Sequence, residues 1–141
     1  MALRAGVTID VANARSKGRL PELVGFRVTR LEEGRLDAEL DIRPELLAPN
    51  GYLHAATVVA LADTACGYGC LYHLPDNMAG FTTVELKSNF LGTALEGTIA
   101  TIARPAHLGG TTQVWDAVVR RKADDRTIAL FRCTQILLPP R

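Results

Sequence analysis

The chain carries almost no net charge: 16 Lys and Arg against 15 Asp and Glu leave a formal +1 over 141 residues. Nucleic-acid binding needs a concentrated basic surface, so no nucleic-acid partner is expected, although a local basic cluster can still meet a small anion. Cysteine is scarce. Three residues, an odd number, suggest no disulfide framework and make a reducing cytoplasm the expected location. Long apolar runs are missing too: no window reaches the roughly 18 uninterrupted apolar residues of a membrane span. The opening Met1-Ala2-Leu3-Arg4-Ala5-Gly6 lacks the sustained apolar stretch of a secretory signal, so no membrane partner is expected. Hydrophobic residues at 48% and charged residues at 22% are ordinary for a globular chain. The length fits one domain whose core needs neither disulfides nor metals.

Residues 1–20 are mixed and polar and read as an N-terminal arm, with a single domain over 21–141. An extended pattern starts at Val24 and runs to Leu31. Glu32-Glu33-Gly34 is a turn signal, and Arg35 to Ile42 alternates apolar and charged residues, which together predict an antiparallel hairpin with one solvated face. Pro44 to Gly51 is a loop. His54 to His73 then reads as the one long helix, apolar almost all round and therefore buried, rich in Ala and Gly, and stopped by Leu74-Pro75-Asp76-Asn77. Four strand-like segments follow, Phe81 to Leu91, Thr98 to Pro105, Thr111 to Lys122 and Thr127 to Leu138. The expected fold class is α+β, a curved antiparallel sheet of five to six strands wrapped around one central helix.

Asp63 is the only formal charge between Glu45 and Asp76, and it lies inside that apolar helix. A carboxylate among small apolar residues costs free energy unless it is paired, hydrated or used in chemistry. Pairing with Lys87 or Arg104 is the structural explanation; a catalytic acid or base is the functional one. A helix start also offers unpaired N–H groups and partial positive charge. Asn50-Gly51-Tyr52-Leu53-His54-Ala55-Ala56 leads into such an end. There the N–H of Ala55 or Ala56 can donate to a carbonyl becoming an oxyanion, with His54 or Asn50 adding a polar contact. Read plainly, the same residues are a turn and a cap.

Asp63 follows Ala55 by eight residues, about 12 Å along one helix. Reacting groups must sit about 3 Å from a shared carbonyl. Both can act on one bond only where two antiparallel helices from two subunits meet, and Ala60, Ala62, Ala65 and Gly67 permit a close approach.

Asn50, His54-Ala55-Ala56 and Asp63, at this spacing and followed by Ala79-Gly80-Phe81-Thr82-Thr83-Val84-Glu85-Leu86-Lys87-Ser88-Asn89-Phe90-Leu91, resemble the hotdog-fold acyl-CoA thioesterases. The similarity is to the phenylacetate-degradation branch, which carries an Asn, a His-Gly-Gly and an Asp in this order. The resemblance covers residues 20–138. It implies the hotdog fold, dimers with a continuous sheet, a homodimer as minimal active unit and commonly a homotetramer. It also implies hydrolysis of a small, medium-chain or aromatic acyl-CoA without cofactor or metal. Asp63 is then nucleophile or general base, Ala55 the oxyanion donor, Asn50 and His54 polar support, and Thr83 a hydroxyl that places the attacking water. Gly51 and Ala56 fall to substrate binding, and Arg104, His107, Gly109 and Gly110 to the phosphates of coenzyme A. The departure is Ala55-Ala56 in place of Gly-Gly: the N–H survives, but a methyl group stands where the family leaves room.

That departure supports an alternative, a hotdog domain that binds acyl-CoA without turnover; a hydratase is a further one, with only His54 well placed. Cys66, Cys70 and His73 share one helical face, but three residues without a loop-borne fourth ligand read as core rather than metal site. Trp115 and Phe131 read as sheet-face packing, and Arg120-Arg121-Lys122 as a solvated strand end.

Overall fold

The computed structural model describes residues 2–141. Three α-helices, α1 (Ile9–Arg15), α2 (Leu20–Val24) and α3 (Ala55–Tyr72), and one 3-10 turn (Pro44–Leu46) inside the expected loop accompany six strands. These are β1 (Arg27–Glu32), β2 (Arg35–Asp41), β3 (Gly80–Phe90), β4 (Thr98–Leu108), β5 (Thr112–Arg121) and β6 (Thr127–Leu138). They form one antiparallel sheet in the order β1-β2-β4-β5-β6-β3. β2 pairs with β4, so α3 and β3 lie between neighbours in sequence, and β3 crosses to the far edge beside β6. Bulges interrupt β1, β3, β4 and β6; each inserts a residue and bends its strand, curving the sheet around α3.

Strand alternation sets what faces the helix. On β5, Gln113, Trp115, Ala117 and Val119 are buried and their neighbours are not; on β6, Phe131, Cys133, Gln135 and Leu137 point the same way. Trp115 is fully buried and Phe131 nearly so, as the sequence reading has them. α3 is long and apolar enough to cross a membrane by length and composition, and here it is the core helix of the sheet.

The sequence reading begins the first strand too early. Val24 closes α2, because Pro21 fits its first turn and Gly25 at φ +80 ends it in a left-handed conformation that favours glycine. β4 runs three residues beyond Pro105, since a bulge between Pro105 and His107 absorbs the misfit and pairing with β5 resumes.

The segment before β1 is tied down. Asn13 exchanges two hydrogen bonds with the Val28 backbone, at 3.1 and 2.7 Å, and Ser16 meets the Tyr68 hydroxyl at 2.8 Å. The Arg4 N–H donates to the Tyr72 carbonyl at 2.8 Å, and its guanidinium donates to the carbonyls of Leu74, Pro75 and Met78. A cation on the exposed carbonyls at a helix C-terminus meets the negative end of its dipole.

Candidate active site

His54 starts α3 as its N-cap, with extended φ −66 and ψ 135. Its Nδ1 accepts the Ala56 N–H at 2.9 Å, so the neutral ring carries its proton on Nε2. The Ala56 N–H is therefore taken. The Ala55 N–H, first in the helix, has no partner among the described residues. Leading into it, Asn50 Oδ1 accepts the Tyr52 N–H at 3.1 Å, which leaves the Asn50 amide NH2 group to donate. Gly51 at φ +87 makes the turn possible. The exposed end of α3 thus presents three donors: the Ala55 N–H, His54 Nε2–H and Asn50 Nδ2–H.

Asp63 lies two turns further on. Its Oδ1 is buried without a hydrogen-bond partner, and desolvation raises the carboxyl above the usual carboxylate range. Neither Lys87 nor Arg104 forms an ion pair with it. The structural explanation offered by the sequence is therefore not realised within the protomer.

Thr83 stands on β3, the open edge of the sheet, opposite Gln135 of β6. Its hydroxyl donates to Gln135 Oε1 at 2.7 Å, and Gln135 Nε2 reaches Cys133 Sγ at 3.3 Å. Cys66, which follows Asp63 by one helical turn, is fully buried, as is Cys133. Burial pushes the Cys66 thiol up, and that of Cys70 up to about 12, so both stay protonated and unreactive. His73 is fully engaged: Nε2 accepts the Gly34 N–H at 2.9 Å and Nδ1–H donates to the Gly69 carbonyl at 2.7 Å.

The remaining site residues proposed from the sequence lie elsewhere. Gly109 and Gly110 form the β4–β5 turn and His107 stands on the last residues of β4, at the end of the sheet where the β1–β2 turn touches His73. The N-terminus of α3 is at the opposite end, beside the exit of β2. Gly109 is required by space, because a Cβ there would fall 2.6 Å from His107 Nε2 and 2.8 Å from the Thr112 carbonyl oxygen. Arg104 is exposed on the outer face of β4, beside Asp116. One protomer therefore holds the donors, the carboxylate and the basic turn apart. Sequence reasoning missed Gln135, whose signal was a polar residue at a core-facing position of a strand whose other inward residues are Ala129, Phe131, Cys133 and Leu137.

Residues 50–128 match the family model described as "Thioesterase superfamily". The ComA2 protein of Bacillus subtilis is 31% identical over 84% of this chain and 93% of its own length. The 1,4-dihydroxy-2-naphthoyl-CoA hydrolase of Listeria monocytogenes is 27% identical over 82% of this chain and 92% of its own. Among solved structures, a mutant of thioesterase PA1618 from Pseudomonas aeruginosa superposes with a TM-score of 0.93 at 25% identity, over 99% of this chain and all of that one. The PaaI protein of the E. coli phenylacetic acid degradation operon shares the fold, with a TM-score of 0.79 at 21% identity over 93% of this chain and 96% of its own. The chain belongs to the thioesterase superfamily and is a thioester hydrolase of the hotdog fold.

Proposed function

We propose that the protein hydrolyses an acyl-CoA, with a small, medium-chain or aromatic acyl group, at a site shared between two protomers. The observation that carries this is Asp63: a buried, unpaired carboxyl oxygen on the central helix that the sheet wraps. The scheme draws its base and its donors from the chain alone. A water oxygen attacks the thioester carbonyl carbon while Asp63 takes the water's proton, and the raised pKa makes it a better base than a free carboxylate. Negative charge gathers on the carbonyl oxygen, where the Ala55 N–H of the other protomer donates, with Asn50 and His54 beside it. Collapse breaks the C–S bond, the proton passes to the departing thiolate, and acid and thiol are released. Whether Asp63 acts as base or attacks covalently is read by single-turnover hydrolysis in oxygen-18 water; the base reading expects no label in Asp63.

The second protomer fits the edge formed by β3. Its outer side is unpaired, and Val84, Leu86 and Phe90 are about half exposed along it. Such an edge is a template for another strand. Antiparallel pairing about a two-fold axis reverses the partner, so the start of one α3 comes to the sheet end that carries the other's β4–β5 turn. There His107, Gly109 and Gly110 are available to the coenzyme phosphates, with Arg104 on the outer face. Further pairing of dimers gives a homotetramer.

A panel of aliphatic and aromatic acyl-CoAs assayed for thiol release tests the reading. Wild-type protein is expected to release thiol and Asp63→Asn to lose between about 100-fold and 10,000-fold of that rate. Hydrolysis by Asp63→Ala at the wild-type rate would rule it out.

A further inference from the structure

Gln135 is fully buried, in a row whose other members include the buried Phe131, Cys133 and Leu137. An amide in such a place costs free energy unless its hydrogen bonds are made. Its neighbour across the strands, Gln113, is explained by the scaffold: Nε2 donates to the His73 carbonyl at 3.0 Å and Oε1 accepts the Trp115 indole N–H at 2.8 Å. Among the described residues the Gln135 side chain makes no tie to the backbone, and its Nε2 meets only the weak acceptor Cys133 Sγ at 3.3 Å. Its oxygen instead takes the hydroxyl proton of Thr83, a residue on the exposed edge strand.

A threonine hydroxyl has one proton and two lone pairs. With the proton spent on Gln135, Thr83 meets everything else as an acceptor. A water attacking a thioester must hand one proton to Asp63, direct a lone pair at the carbonyl carbon, and place its second O–H somewhere. A threonine locked as acceptor takes that second O–H. A threonine free to rotate can donate to the water instead, and so occupy the lone pair that has to attack.

We propose that Gln135 is a positioning residue that fixes Thr83 as the acceptor for the attacking water. The inference rests on the hydrolytic reading of Asp63 and Thr83. The Gln135 amide is itself held by Cys133, with Nε2 3.3 Å from its sulfur. Thr83, Gln135 and Cys133 thus form one chain of hydrogen bonds that sets the hydroxyl from inside the core.

The test uses the full chain with four variants, Gln135→Met, Gln135→Asn, Thr83→Val and Gln135→Met with Thr83→Val. Thiol release gives kcat and KM, and thermal unfolding gives Tm. Gln135→Met is expected to lower kcat by on the order of tenfold with KM unchanged, as misplacement of a reacting group does. Gln135→Asn keeps an amide in the core but withdraws its oxygen by one methylene; it should show the same loss, and it serves if the methionine variant folds poorly. The double variant should be no slower than Thr83→Val, because Gln135 acts only through that hydroxyl. A packing role would instead lower Tm with kcat intact, or multiply the losses in the double variant. Either result overturns the proposal, as does a Thr83→Val variant with wild-type kcat. Inactive Asp63→Asn beside fully active Gln135→Met would remove this inference alone. A wild-type protein that releases no thiol would remove the hydrolytic reading with it.

Discussion

Asp63 carries a cost in the folded chain that follows from its surroundings. Its carboxyl is half-buried, with Oδ1 enclosed and unpartnered, so folding favours the neutral form and raises the pKa. A group with a raised folded pKa stabilises the fold below its unfolded pKa, and that contribution is lost as pH rises through the folded value. At neutral pH the charged form is therefore a burden. Asp63→Asn should unfold at a higher denaturant concentration than wild type at pH 7, with the difference closing as pH falls to 4. The same shift sets the acid limb of kcat/KM, which should lie above the ordinary carboxylate range of about 4. Asp63 was legible in the sequence because it stands alone in charge between Glu45 and Asp76. The division of labour between Ala55 and Ala56 was not, because it depends on which N–H the His54 ring captures. Nor was Gln135, since its inward parity emerges only when β6 is paired with β3.

At the scale of elements, α3 is fixed at its C-terminal end by His73 and by close approach to the sheet. The His73 ring lies between two backbone groups, and its Nε2 has no room for a proton against the Gly34 N–H. Burial holds its pKa below the ordinary histidine value. The stability this supplies is present above about pH 6.5 and is lost as pH falls through the depressed folded pKa. Wild-type denaturation midpoints should drop between pH 7 and pH 5. His73→Gln should flatten that drop while losing on the order of 2 kcal/mol at pH 7 through its disturbed hydrogen bonds. One turn earlier, a Cβ on Gly69 would lie 2.6 to 3.0 Å from three ring atoms of the buried Trp115. Gly69→Ala should therefore cost about 1–3 kcal/mol in chemical denaturation, despite the better helix propensity of alanine. The long helix and the succession of strands along the chain could be read from periodicity, while their order in the sheet, with β3 beyond β6, could not. The start of β1 could not, because the left-handed Gly25 looks the same in sequence as any strand-entry glycine.

For the whole molecule the decisive quantity is the separation of Ala55 from Asp63, about 12 Å along one rigid helix. Mixing two inactive variants tests whether the site is shared. Asp63→Asn removes the carboxylate, and Ala55→Pro removes the N–H at the first helical position, where proline is tolerated. Random reassortment makes half of the dimers mixed, each with one intact site of two, so roughly one quarter of wild-type activity should return. A site confined to one protomer would return none. Leu86→Lys on the half-exposed edge strand should shift the protein towards monomer in sedimentation and lose thiol release in parallel. A partnership between chains is only partly legible in a sequence: the spacing demands it, while the unpaired edge that accommodates it appears once β3 is seen to have left its sequence neighbours.

The bulge in that edge strand has a consequence for length variation. Thr83 faces Gln135 and Glu85 faces Thr134, consecutive positions on β6, so Val84 is surplus to the ladder. Excising this one residue would leave every remaining rung matched and every inward side chain inward. A gap at this point is thus an indel the sheet can absorb, and it would straighten the rim without disturbing what lies beneath.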